Sequence, residues 1–130
     1  VAVAYCDSPG PLERHLDTFY AVSPVPDDWT EEQATSFLRE YNHWMLQILN
    51  VHEAIPGHYT QLMHANKSKS LVKSVFGDGA MIEGWAVYGE RMMLDAGYGG
   101  DSRLSASAVT AFLFSIPKRN LLVTGKQRGK

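Results

Sequence analysis

The stretch His-Glu-Ala-Ile-Pro-Gly-His at residues 52–58 is the segment from which the fold of this chain can be worked out. Its two histidines are six residues apart, which on an unbroken helix places the side chains roughly 120° apart and about 9 Å displaced along the axis. Pro56 lacks a backbone N–H and Gly57 adds conformational freedom, so the helix is interrupted between the histidines. The interruption allows His58 to swing back toward His52, and the spacing then fits a shared metal ion.

The sequence before this stretch has the pattern of an amphipathic helix. Thr30 with Gln33 three residues later fits a capping box, and apolar residues recur at helical spacing over residues 34–49. The same apolar stripe continues to His52, which therefore points inward. The pattern predicts one helix that runs from about Thr30 to the break at Pro56.

A second acidic motif, Glu-Gly-Trp-Ala-Val-Tyr-Gly-Glu, occupies residues 83–90. Its two glutamates are seven residues apart and share one helix face, with the small residues Ala86 and Val87 between them. Two histidines and a distant glutamate form a three-ligand set for zinc that leaves one coordination position open. We expect Glu83 to be the ligand and Glu90 to orient a histidine from behind.

These residues predict the chemistry of a zinc metallopeptidase that acts on a peptide or small amide substrate. Glu53 is then free to act as a general base on a zinc-bound water. Tyr59 or Tyr88 could donate a hydrogen bond to a developing oxyanion, and spacing alone does not choose between them.

The same residues also have a structural interpretation. His52 could be a hydrogen-bonded core histidine, and Pro-Gly could be an ordinary helix stop. His43 falls about 180° around the helix from His52, which predicts a solvated side chain, and His64 is expected to be structural.

Composition narrows the classes of function. A chain of 130 residues with 45% apolar residues fits one globular domain, and its net charge of −2 argues against nucleic acid as a partner. No apolar run approaches the roughly 18 residues of a membrane span. Cys6, the single cysteine, excludes an intramolecular disulfide and a cysteine-based zinc site. The oligomeric state is not specified.

The remaining pattern predicts a mainly α protein with no convincing strand. We expect further helices over about 58–65, 80–96 and 101–115. The predicted organisation is an irregular N-terminal segment (1–29), a helical metal-binding core (30–116) and a disordered tail (117–130). Val1 in place of Met suggests a piece of a longer protein, and the lack of a visible signal peptide slightly favours the cytoplasm.

The sequence His-Glu-Ala-Ile-Pro-Gly-His-Tyr at 52–59, followed by the motif at 83–90, resembles the large bacterial family designated DUF885. Residues 4–10 and 19–24 also look familial, and the resemblance runs over about 4–105. Members of this family are similar to zincin-like metallopeptidases of the thermolysin and carboxypeptidase Taq kind.

The resemblance implies a mainly α zincin-like core with His52, His58 and Glu83 as zinc ligands and Glu53 as general base. Family members are several hundred residues long, so the chain resembles only their central catalytic segment. Many members carry His where this chain has Tyr59. One alternative is a catalytically incomplete fragment that binds a metal or a partner, which exposed apolar surface would mark. A second and less expected alternative is an iron enzyme, because two histidines and one carboxylate also bind iron.

Overall fold

The computed structural model of the protein describes residues 3–13 and 15–100. The helix predicted over 101–115 and the disordered tail predicted over 117–130 lie outside the described residues. The elements, in chain order, are β1 (Ala4–Asp7), β2 (Phe19–Val22), α1 (Glu31–Glu40), α2 (His43–Glu53), α3 (His58–Ala65), α4 (Leu71–Val75) and α5 (Gly79–Asp95). Helices dominate the described chain, which confirms the predicted mainly α fold.

The N-terminal segment differs from the prediction of irregular structure, because β1 and β2 form a small antiparallel sheet. Ala4 is paired with Val22 and Cys6 with Tyr20. β2 has the sequence Phe-Tyr-Ala-Val, with three of its four residues exposed. Apolar residues therefore occupy both of its faces, and the period-2 signal of a half-buried strand is missing. β1 packs against α2, which attaches the sheet to the helical part.

The long helix predicted from Thr30 is wrong in one respect: it is divided into α1 and α2. The predicted capping box is present, with Gln33 N–H donating to the Thr30 hydroxyl and Thr30 N–H to the Gln33 side chain. Asn42 starts a new helix because its side-chain oxygen accepts from the N–H groups of Trp44 and Met45. Asparagine favours caps for this reason, and the continuous apolar stripe concealed the break.

The core lies where α2 packs against α5. Ile48 and Val51 of α2 are each 1% exposed, and Ala86 of α5 is fully buried. Trp44 and Leu94 pack on Ile48 from either side of the contact. A side chain as small as Ala86 lets the two helices approach closely, which brings together the polar groups of their facing surfaces.

The ends of α3 and α5 follow the sequence signals. α3 spans His58–Ala65 as predicted, and α5 ends at Asp95, followed by Gly97 with a φ of 85°. Such a positive φ favours glycine, which stops the helix. No helix in the described part of the chain is long and apolar enough to cross a membrane.

A short region that follows α3 in the chain has exposed rather than buried apolar side chains. Residues 71–76, which we call the α4 segment, carry four exposed apolar side chains, with Val72 66% and Phe76 75% exposed. Ser70 caps the helix by accepting from Lys73 N–H, and the Ser74 hydroxyl donates to the carbonyl of Ala65. Polar contacts therefore attach this segment while its apolar side chains face outward.

Candidate metal centre

The loop over residues 54–57 joins α2 to α3 and places the two histidines of the motif at its ends. His52 lies in the last turn of α2 and His58 is the first residue of α3. Gly57 is buried, and a Cβ added to it would lie 1.8 Å from the carbonyl oxygen of His52. No side chain fits at that distance, so the loop can close only with glycine at this position.

A hydrogen bond from α5 fixes the same loop. The indole Nε1 of Trp85 donates to the carbonyl oxygen of Pro56 at 2.7 Å, and Gly89 lies opposite Pro56 on the next turn of α5. The peptide bond between Ile55 and Pro56 is cis. The helix break and the acidic motif, which are distant in sequence, therefore form one local unit.

Three potential metal ligands meet at this unit. One ligand atom from each of His52, His58 and Glu83 lies within 4.8 Å of the others. The Nε2 atoms of His52 and His58 are 3.8 Å and 3.9 Å from the two carboxylate oxygens of Glu83. The imidazole rings are nearly perpendicular, with centroids 4.8 Å apart. The structure thus brings together the three residues that the sequence predicted as ligands.

The donor set fits zinc. Two imidazole nitrogens and one carboxylate oxygen are the ligands of one class of catalytic zinc site, in which the fourth position stays open. Bonds of about 2.0–2.1 Å in tetrahedral geometry place neighbouring donors about 3.3–3.4 Å apart. The two distances from the imidazoles to Glu83 are about half an ångström longer than this spacing. The whole cluster fits only within 4.8 Å, so the side chains would have to rotate toward a bound ion.

Glu90 lies behind His52, where the sequence placed a supporting group. Glu90 is only 7% exposed, and its Oε1 accepts a hydrogen bond of 2.6 Å from His52 Nδ1. Burial alone would lower the pKa of His52. The hydrogen bond and charge of Glu90, and then the charges of Glu53 and Glu83, outweigh burial, so the pKa of His52 is raised. Because Nδ1 is the donor to Glu90, Nε2 is directed toward Glu83 and is the atom suited to a metal.

Glu53 has a partner that the sequence did not predict. Its Oε2 accepts from the backbone N–H of Cys6 at 3.2 Å, so β1 holds the carboxylate at the end of α2. Burial raises the pKa of the Cys6 thiol and of the Tyr20 phenol, and the negative charge of Glu53 raises both further. A contact across 47 residues leaves no periodic signal in the sequence.

The two tyrosines predicted as oxyanion donors have different positions. Tyr88 is 56% exposed and lies beside Trp85, with ring centroids 5.9 Å apart. Tyr59 lines a cavity with Tyr20 and Ile55. Neither belongs to the three-residue cluster, and the donor role of each remains a prediction.

The other histidines for which we made predictions lie on the surface. His43 is exposed, and its Nε2 forms a hydrogen bond of 2.7 Å with Gln47. His64 is exposed near the end of α3. The solvated position predicted for His43 is confirmed.

Comparison with known proteins gives a family and a solved relative. The family described as "Bacterial protein of unknown function (DUF885)" matches residues 1–115. A solved structure from Shewanella oneidensis, described as "a putative lipoprotein of unknown function", is 62% identical with a TM-score of 0.65. The match covers 75% of this chain and 18% of that protein, so the chain spans about a fifth of the relative's length. A search of curated proteins gives no match.

Proposed function

Because this chain belongs to the DUF885 family and gathers two histidines and a glutamate at one point, we propose that it carries the metal centre of a zinc-dependent, zincin-like peptidase. The substrate class is a peptide or small amide. One observation carries the proposal: ligand atoms of His52, His58 and Glu83, which come from three helices, lie within 4.8 Å of one another.

The surroundings of the cluster support a metal site over a structural histidine pair. Four helix-borne groups meet there, and two of them are carboxylates that would repel each other without a cation between or beside them. Glu90 is bonded to His52 Nδ1 in the manner of a carboxylate that orients a metal-binding histidine. On the other side of the ring, the Glu83 carboxylate is 3.8 Å from His52 Nε2, which is too long for a direct hydrogen bond and is compatible with an ion between the two groups.

The proposed mechanism assigns a task to each residue. When bound, zinc would supply polarisation of the scissile carbonyl and a lowered pKa of the attacking water. Glu53 accepts the proton of that water and delivers it to the leaving amine. The backbone N–H of Cys6 holds Glu53 Oε2, and this contact limits the directions in which the carboxylate can act. Glu90 holds the tautomer and orientation of His52.

A second candidate function is metal binding without turnover by this chain alone. The exposed apolar side chains of the α4 segment favour it, because such surface is typical of a region that packs against further structure. The 18% coverage of the Shewanella oneidensis protein points the same way. In this case the metal site would be intact, while the surfaces that hold the substrate would come from elsewhere.

Metal content by mass spectrometry on chelator-free protein tests the proposal. We expect about one zinc per chain, lost in His58→Ala and retained in His64→Ala, a matched histidine near the other end of α3. Retention of iron in place of zinc would move the proposal to an iron enzyme. Absence of any bound metal from the wild type after reconstitution would refute the metal centre.

Hydrolysis is tested separately. With peptide substrates, Glu53→Gln should keep its zinc and lose most of the rate, because general-base catalysis contributes typically about 10²–10⁴-fold. A zinc-loaded wild type that cleaves no peptide would favour the second candidate. Equal rates for wild type and Glu53→Gln would remove Glu53 from the mechanism.

We also propose an envelope location, in place of the cytoplasmic one that the sequence slightly favoured. The support is the description of the Shewanella oneidensis relative as a lipoprotein. Fractionation of cells that express the protein from its natural locus would test it, and recovery in the cytoplasmic fraction would contradict it.

A further inference from the structure

A cavity of about 510 Å³ lies between β2 and the loop that joins α2 to α3. Its volume falls in the range of about 300–1,000 Å³ that is typical of ligand sites. Its eight lining residues include three aromatic ones, Phe19, Tyr20 and Tyr59, together with Ile55. None of these residues is a proposed metal ligand, so the cavity is a distinct feature of the molecule.

The cavity borders the proposed catalytic base. Ala54 and Ile55, which directly follow Glu53, line it, and so does Tyr59, which directly follows His58. Cys6 also lines it, and its backbone N–H donates to the Glu53 carboxylate. A substrate held with its reacting carbonyl near Glu53 would therefore direct a neighbouring side chain toward this cavity.

The one formally charged side chain among the described residues that line the cavity is a carboxylate. Asp17 is part of the wall, and the described lining residues include no lysine or arginine. An adjoining cavity of about 430 Å³ shares Asp17 and Phe19 and adds the carboxylates of Asp7 and Glu13, with His15 beside them. Aromatic faces and carboxylates both attract cations, and neither favours an acidic side chain.

We propose that this cavity is a specificity subsite that binds a basic side chain, lysine or arginine, of the peptide substrate next to the bond that is cleaved. The inference rests on the proposed peptidase function. The aliphatic stem of the basic residue packs on Ile55 and the rings, and its charged end lies between an aromatic face and Asp17. Arginine suits such a site particularly, because its planar guanidinium stacks on rings and pairs with a carboxylate.

Binding of short peptides to the full 130-residue chain tests this inference without requiring turnover. Isothermal titration calorimetry would compare a blocked Ala-Arg-Ala peptide with its citrulline counterpart, which keeps the shape and removes the charge. We expect the arginine peptide to bind about fivefold to tenfold more tightly, from one carboxylate pair and one cation–π contact. In Asp17→Asn the ratio should fall to within about twofold, while Asp27→Asn, an exposed aspartate away from the cavity lining, should leave it unchanged.

Phe19→Leu provides a second variant that keeps apolar volume and removes one ring; it should lower the ratio without abolishing binding. Circular dichroism and a zinc titration on the same samples separate the two proposals. Loss of zinc binding with a persistent, Asp17-dependent arginine preference would refute the metal centre and leave the subsite supported. Three results obtained with normal zinc binding would overturn the subsite. They are equal affinity for the two peptides, no binding of either peptide, and an arginine preference that survives Asp17→Asn.

Discussion

The metal cluster and the α4 segment, which follows α3 in the chain, both reverse the usual relation between polarity and burial. At the cluster, Glu90 is only 7% exposed and is bonded to His52. In the α4 segment, Phe76 is 75% exposed. Burying a carboxylate costs free energy unless it is paired, and each exposed large apolar side chain forgoes roughly 1.5–3 kcal/mol of burial.

The difference teaches where to look for function in this chain. A buried charge with a specific partner indicates a site whose geometry is fixed in the folded state, whereas a row of exposed apolar side chains indicates a surface that packs against something further. The first region should therefore respond sharply to small changes and the second should tolerate large ones. Three substitutions test this contrast.

Gly57→Ala should have the largest effect, because it places a methyl group where the backbone carbonyl of His52 approaches to 1.8 Å. The loop must then open and separate the two histidines. We expect zinc affinity to fall by more than about 100-fold, beyond the range of about 10–100-fold for a group that only supports a ligand. Competition with a zinc-sensitive chelator would measure it.

Gly79→Ala is the matched control, since a Cβ at Gly79 meets nothing within 4 Å. It should bind zinc like the wild type. If Gly57→Ala also binds zinc normally, the histidines do not depend on the tight loop and the contrast between the two regions loses its main support.

Glu90→Gln should have an intermediate effect. It keeps the shape of the side chain and removes the charge that orients His52 through Nδ1. We expect zinc affinity to fall by about 10–100-fold, measured by the same chelator competition. Asp95→Asn, an exposed carboxylate at the end of the same helix, should leave the affinity unchanged, and an equal loss in both variants would indicate a general charge effect.

Phe76→Ser should have the smallest effect on the folded chain. Zinc affinity should be unchanged and the free energy of unfolding should shift by no more than about 0.5 kcal/mol, as for other surface positions. Self-association, followed by sedimentation velocity, should decrease. The control is Leu38→Ser, which removes an exposed apolar side chain from α1; an equal decrease there would mean that the α4 segment is not a special surface.

Much of the candidate site could be predicted because its signals are local. The six-residue spacing across Pro56 and Gly57 required a break for convergence, and the structure has one with the two rings 4.8 Å apart. The seven-residue spacing of Glu83 and Glu90 placed both on one face of α5. Periodicity and short spacings are properties of consecutive residues, so they can be read without knowing the fold.

The missed features depend on contacts between distant residues or on competition between signals. The small sheet had no alternating pattern, because the four residues of β2 are apolar on both faces of the strand. The division of α1 from α2 depends on the cap formed by Asn42. The continuous apolar stripe around it predicted an unbroken helix instead. The hydrogen bond from Trp85 to Pro56 joins segments 29 residues apart, and nothing in the sequence around either residue indicates that they are close in space.

The hydrogen bond from Cys6 to Glu53 has a consequence for how the activity could be assembled. The three proposed ligands all lie between His52 and Glu83, so a metal could bind as soon as that part of the chain has folded. The proposed base is steered by a strand near the start of the chain. If the proposed function holds, metal capture and catalytic competence are separable stages, and an intermediate that has acquired its ion before β1 docks would be loaded but still inert.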